Sequence, residues 1–236
     1  MSVERIDGAR CYVLHRRAYR ESSQIVELFT ADHGRIAAVA RASRSPRSPF
    51  RGLTEPFLEL SAGWVRRGEL ATLTGLEPTQ LPSPRLARKP LWCGLYINEL
   101  MLRLVAKDDP EPDLFQAYSA LISALPDTDH LEQWLRSFEW CLLRVLGVAP
   151  ALDVCSRSQD TVAADRYYAL DSDTGMIEVD ARVKGAVRGN WLIALTQHQA
   201  LPADQSAAGR QLLRRLIEAQ LDGKPLKTPQ MFGRRT

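Results

Sequence analysis

The spacing of apolar residues changes once along this chain, and that change fixes what each part can become. Up to about residue 80 they come in short runs with a period near two; from Pro82 they recur about every 3.6 residues. Residues 9–14 (ARCYVL), 24–29 (QIVELF), 35–40 (RIAAVA), 56–60 and 70–76 carry β-branched or aromatic side chains and are separated by turn formers. Asp32-His33-Gly34 supplies a hairpin loop between the second and third runs. Five short strands with little helix between them predict a small closed barrel over residues 1–80.

The remainder, 81–236, reads as a mostly α-helical domain, which makes the chain α+β. Pro90 fits the first turn of a helix over 90–107 that includes Trp92, Leu95, Tyr96, Leu102 and Val105. A second helix spans 112–125. A third starts near Asp129, a predicted cap with Glu132 reaching back, and its stripe of Leu131, Trp134, Leu135, Phe138, Leu142, Val145 and Leu146 predicts core. Gly147 and Pro150 end it. A short irregular insert covers 151–180, with strands at 166–170 and 176–179 flanking the turn Asp173-Thr174-Gly175. Helices at 190–197 and 204–221 follow, Gly223 and Pro225 stop the last one, and the basic tail 224–236 is predicted to be loose.

With 45% hydrophobic and 25% charged residues, the composition is that of an ordinary soluble globular protein. No run approaches the roughly 20 apolar residues of a membrane span, and residues 1–10 lack the apolar stretch of a signal peptide, so a cytoplasmic location with no membrane partner is expected. Cys11, Cys93, Cys141 and Cys155 form no CxxC pair, which argues against a zinc ribbon and for buried free thiols. Phosphate-loop, dinucleotide, HExxH and nucleophile-elbow motifs are all absent, and His15, His33, His130 and His198 are scattered. No catalytic residues, cofactor or metal are assigned, and the expectation is a protein that is not an enzyme.

Charge is unevenly distributed. Residues 1–80 hold 12 Lys/Arg against 9 Asp/Glu, 81–209 hold 12 against 17, and 210–236 hold 7 against 2. From 35 to 51 there are five arginines (Arg35, Arg41, Arg44, Arg47, Arg51) and no acid. The Ser/Pro-rich part after Ala42 is expected as an exposed loop. Arg16, Arg17 and Arg20 follow the first strand, and Arg66 and Arg67 lie between the fourth and fifth. In a small barrel such connections line one groove, where guanidinium groups neutralise phosphates. A solvated basic loop with no specific role reads the same residues equally well. Tyr12, Tyr19 and Phe50 are candidate base stackers, although Tyr12 could equally face the core.

Across nearly its whole length the chain resembles the bacterial recombination-mediator family RecO. The resemblance is carried by Val13-Leu14-His15-Arg16-Arg17, Glu21-Ser22-Ser23, His33-Gly34-Arg35, Val39-Ala40-Arg41, Gly68-Glu69-Leu70-x-Thr72-Leu73, Gly94-Leu95-Tyr96-Ile97-Asn98-Glu99-Leu100 and Gly223-Lys224-Pro225-Leu226-Lys227. It implies an N-terminal five-stranded OB-fold barrel and a helical domain. It further implies binding of single- and double-stranded DNA, annealing of complementary strands, and cooperation with RecR in loading RecA onto DNA coated by single-strand-binding protein (SSB), hence nucleoid association. The family also recruits the acidic C-terminal tail of SSB; Arg136 matches the contacting position, beside Trp140 and near Leu143. Two departures stand out. Where many members carry a four-cysteine zinc site, only Cys155 remains, so the zinc site is lost. The family's glycine after the third strand is Ala42 here, strained if that position needs a positive φ. The competing reading is an adaptor for SSB and RecR with little DNA affinity of its own; a nuclease finds no clustered carboxylates near the arginines.

Overall fold

The unbroken apolar run at 11–14 serves two layers at once. In an extended strand, alternate side chains face opposite ways. Cys11 and Val13 point into the barrel, whereas Tyr12 and Leu14 are equally buried outside it. The computed structural model describes residues 3–79, 86–171 and 173–228, and the chain forms two compact units: Met1–Pro126 with Leu226–Thr236, and Asp127–Pro225.

In the first unit β1 (Glu4–Tyr19), β2 (Ser23–Thr30), β3 (Gly34–Ala40), β4 (Glu59–Arg66) and β5 (Ala71–Pro78) close a barrel in the order β1-β2-β3-β5-β4. All pairs are antiparallel except β3 with β5, which meet in parallel at Ala38–Ala71 and Val39–Thr72. β1 far exceeds the predicted six residues because its polar ends carry no apolar signal. It pairs with β4 at one end and β2 at the other, with register shifts at Ile6/Ala9 and Val13/His15. Val26, Leu28, Ile36, Leu60, Trp64, Leu73 and Leu76 fill the interior, and Phe50 joins them from the β3–β4 connection. β4 starts three residues later than the pattern predicts. Phe57 instead turns at φ +72° and packs where Gly94 has no side chain; a Cβ there would lie 2.7 Å from its ring.

α1 (Arg88–Leu104) and α2 (Pro112–Ala124) belong to the same unit. Phe115 and Tyr118 of α2 meet Tyr12 and Phe29 of the barrel's outer surface, with ring centroids 5.1–5.8 Å apart. Buried Asn98 of α1 donates to the Leu14 carbonyl at 2.9 Å and accepts from the Tyr118 hydroxyl at 2.7 Å. Glu99, its neighbour, receives the returning C-terminal segment. Its carboxylate accepts from the Lys227 N–H (2.7 Å), the Thr228 N–H (2.8 Å) and the Thr228 hydroxyl (2.6 Å). Lys227 and Thr228 begin a helical turn, so one carboxylate caps it from a distant element. The tail predicted to be loose is thus held down through Thr228, which is buried; 229–236 lie outside the described residues.

The second unit holds α3 (Leu131–Val145), a sheet of β6 (Tyr167–Asp171), β7 (Gly175–Val179) and β8 (Val187–Arg188) in the order β7-β6-β8, α4 (Gly189–Thr196), a 3₁₀ turn (Ala203–Gln205) and α5 (Ser206–Ala219). The predicted Asp129 cap is not formed: Asp127 accepts from the N–H groups of Asp129 and His130 at 3.2 and 3.4 Å and pairs with the His130 ring. Phe138 is core as expected, but Trp134 is 38% exposed. Gly209 of α5 abuts Trp191, whose indole leaves no room for a Cβ. No helix among the described residues is long and apolar enough to cross a membrane.

Candidate nucleic-acid interface

Strand register puts three connections at one end of the barrel. Gln24 stands opposite Ala40 and Ala18, Ala38 opposite Ala71, and Val65 opposite Thr72. The β1–β2 turn, the start of the β3–β4 connection and the β4–β5 turn therefore share a rim. Two bonds tie the first two together: the Arg44 N–H donates to the Ser22 carbonyl at 2.9 Å and the Ala42 N–H to the Ser23 hydroxyl at 3.2 Å. Ala42 adopts φ +51°, a left-handed conformation that glycine adopts without strain and alanine only at a backbone cost.

Beyond Ala42 the connection is a chain of tight turns. The N–H groups of Ser45, Ser48 and Arg51 donate to the carbonyls of Ala42, Ser45 and Ser48 in succession. An advance of three residues per turn matches the spacing of Arg41, Arg44 and Arg47, which are all exposed. Phe50 in the barrel interior anchors the far side. The arginine-rich loop is thus a fastened structure presenting one guanidinium per turn.

The nine arginines assigned from sequence divide into three groups. Arg17, Arg41, Arg44, Arg47 and Arg67 are exposed, with no side-chain hydrogen bond or ion pair to another described residue. Arg16 and Arg51 are exposed but engaged: Arg16 pairs with Glu55 at 2.6 Å and Arg51 donates to the Pro46 carbonyl at 3.3 Å. Surface pairs of this kind contribute little and are readily exchanged for a phosphate.

Arg35 and Arg66 are spent internally, which corrects their reading as free cations. The Arg35 side chain is 11% exposed, pairs with Glu27 at 3.1 Å and donates to the Val105 carbonyl at 3.2 Å. Arg66 bonds to Asp108 and, at 2.6 Å, to Glu4; the Asp108 bond first and the Glu4 bond second hold its charge more firmly than usual. Both fasten the barrel to the segment joining α1 and α2. Gly34 makes that approach feasible, since a Cβ there would sit 2.3 Å from the Asp109 carbonyl oxygen. A sequence shows a charge but not the acid that folding will set beside it.

Two proposed stackers are likewise inside. Tyr12 is 2% exposed, and its hydroxyl donates to Glu59 (3.1 Å) and lies 2.9 Å from the Ser119 hydroxyl. Burial raises its pKa to about 12. Phe50 is core, and Tyr19 is half-buried under the Arg20 guanidinium at 5.1 Å. Leu70 and Thr72, which charge counting passes over, line a cavity with Arg41 and Arg67. The sequence reading places both in the fifth strand, where nothing marks them as lining a cavity.

Arg136, Trp140 and Leu143 also differ from expectation. They sit on α3 in the second unit, and all three are buried. Arg136 pairs with Glu139 at 3.0 Å, so the triplet presents no exposed cation over an apolar ring. The helical spacing was right, but the pattern could not reveal that this face points inward. Among the described residues no group of three or more His, Cys, Asp or Glu could hold a metal ion. The Cys155 thiol pKa is lowered to about 7 by the Ser158 N–H and hydroxyl, with smaller help from the Arg157 and Glu178 N–H groups, against the effect of burial.

The closed five-stranded barrel with a helical remainder defines an OB-fold protein of α+β class. Residues 6–82 match the family described as recombination protein O N terminal, and 87–230 match recombination protein O C terminal. The chain is 39% identical over 235 residues to the DNA repair protein RecO of Chromobacterium violaceum, covering 97% of this chain and 95% of that protein. It is 37% identical over 221 residues to the DNA repair protein RecO of Methylococcus capsulatus, covering 94% and 90%. The chain belongs to the RecO family.

Proposed function

We propose that this chain is a DNA repair and recombination mediator whose barrel rim grips the sugar-phosphate backbone of single- and double-stranded DNA. The reading is carried by one observation: five arginines with no partner among the described residues and two weakly engaged ones are exposed on the last turn-ward residues of β1 (Arg16, Arg17), the β3–β4 connection (Arg41, Arg44, Arg47, Arg51) and the β4–β5 turn (Arg67). Backbone contacts of this kind supply affinity without sequence choice, as a protein that anneals any two complementary strands requires. In this role the chain is not an enzyme. It anneals complementary strands and, with RecR, helps load RecA onto SSB-coated DNA at the nucleoid; the SSB tail and RecR enter through family membership alone. Arg136, Trp140 and Leu143 would take part only as the support beneath a partner surface.

Five phosphate contacts give a slope of log K against log salt of about −3.5 on a single strand, roughly a hundredfold loss of affinity from 50 to 200 mM salt. Replacing Arg41, Arg44 and Arg47 together by alanine should flatten that slope to about −1.4 and weaken binding to all sequences alike. An unchanged slope removes the rim from the site. A wild-type chain with no measurable DNA affinity at 50 mM salt would favour the adaptor reading.

A further inference from the structure

The rim also holds an apolar element that a purely electrostatic grip does not need. Between the end of β3 and the β4–β5 turn lies a cavity of about 340 Å³, lined by Arg41, Val65, Arg67, Gly68, Leu70 and Thr72. Its two guanidinium groups come from different connections and are paired with no other described residue. Cations facing one hollow without an acid between them are poised for a bound anion. Glu69, the acid of the same turn, is not among the lining residues.

Leu70 is 38% exposed, one of five large apolar side chains so exposed among the described residues. It belongs to the turn of a two-stranded ribbon, flanked by Arg67 before it and Thr72 after it. A free phosphate would use the arginines and leave the leucine idle. A nucleic-acid strand uses both, because each phosphate is followed by a base whose face is apolar. Apolar side chains pushed between base steps from a ribbon flanked by cations are an established way to open a stack, the unstacking cost being offset by added backbone contacts.

On the reading that the rim binds DNA, we infer that this cavity seats one phosphate between Arg41 and Arg67 and sets Leu70 as a wedge against the adjoining base. The site takes any base, since a leucine reads no hydrogen-bonding edge. It leaves one stacking step open in the bound strand.

The test uses the full-length chain and a single strand carrying an internal 2-aminopurine, whose fluorescence rises on unstacking. Wild type should raise that fluorescence about twofold on binding. Leu70→Ser should abolish the rise, and Leu70→Met should retain it. Arg67→Ala should weaken binding about five- to tenfold and reduce the salt slope by about 0.7. Suppose wild type binds and Arg44→Ala and Arg47→Ala weaken it, but Leu70→Ser keeps the fluorescence rise or Arg67→Ala leaves affinity and slope unchanged. The cavity assignment then falls and the rim survives. If wild type binds no strand at 50 mM salt, the rim falls and the wedge with it. Equal affinity for a polyglutamate peptide of matching charge would also overturn it.

Discussion

Ala42 shows how a single backbone angle carries a cost without disturbing any contact. At φ +51° an alanine Cβ crowds the carbonyl that glycine would clear, a penalty of about 1 kcal/mol. Ala42→Gly should therefore raise Tm by about 2 °C in thermal unfolding while leaving DNA affinity within twofold, despite lying next to Arg41. The arginines divide on the same grounds. Arg35→Ala removes a largely buried pair with Glu27 and a bond to the Val105 carbonyl, and should cost about 2–3 kcal/mol in a denaturant titration. Arg44→Ala should cost less than about 0.5 kcal/mol and act on DNA affinity alone. Arg136→Ala belongs with Arg35: its partner Glu139 is 1% exposed, and losing the pair should destabilise by about 3 kcal/mol. The residue types and spacing of all these cations are plain in the sequence. Arg136 and Glu139 are three residues apart on one helix, so that pairing is legible and only its burial is not; Glu27 and Asp108 become neighbours of Arg35 and Arg66 only through strand register or an inter-element loop.

At the scale of elements, the strands were legible where apolar residues alternate and were lost where they stop. β1 is the clearest case: its central run showed, but its flanks are exposed and charged, and only their pairing with β4 and β2 reveals them. The helices were legible almost throughout because each buries one stripe, as α1 does with Ile97, Leu100 and Met101. The last described segment was not, since its fastening depends on one glutamate far away in the chain. Burial alone would raise the Glu99 pKa, but the N–H groups of Lys227 and Thr228, the Thr228 hydroxyl and the charge of Arg103 outweigh it and hold the carboxyl below its usual range. A depressed native pKa means the fastening contributes fully above the unfolded value near 4.3 and is lost as pH falls through the lower native one. Glu99→Gln should cost about 1 kcal/mol at pH 7, and its stability should converge with that of wild type as pH drops below about 4. Chemical unfolding followed from pH 3 to 7 checks both statements; parallel curves would mean that Glu99 holds nothing.

For the whole molecule, the barrel unit is built from two separate stretches of chain, Met1–Pro126 and Leu226–Thr236, with the other unit between them. A fragment ending at residue 126 should therefore be less stable than the same unit in the full chain, by at least the cost of the Glu99 cap, and adding a peptide of 226–236 in excess should recover part of the loss. Failure of the peptide to change the fragment's melting would show that the returning segment is dispensable. The discontinuity also bears on birth at the ribosome. At roughly 5–20 residues per second, the hundred residues between Pro126 and Leu226 take on the order of 5–20 s to make. During that interval the barrel and its two helices exist with the Glu99 carboxylate still waiting in water. The cap closes only once Lys227 and Thr228 have left the exit tunnel, so a chain truncated before them carries a barrel that is folded but unlatched.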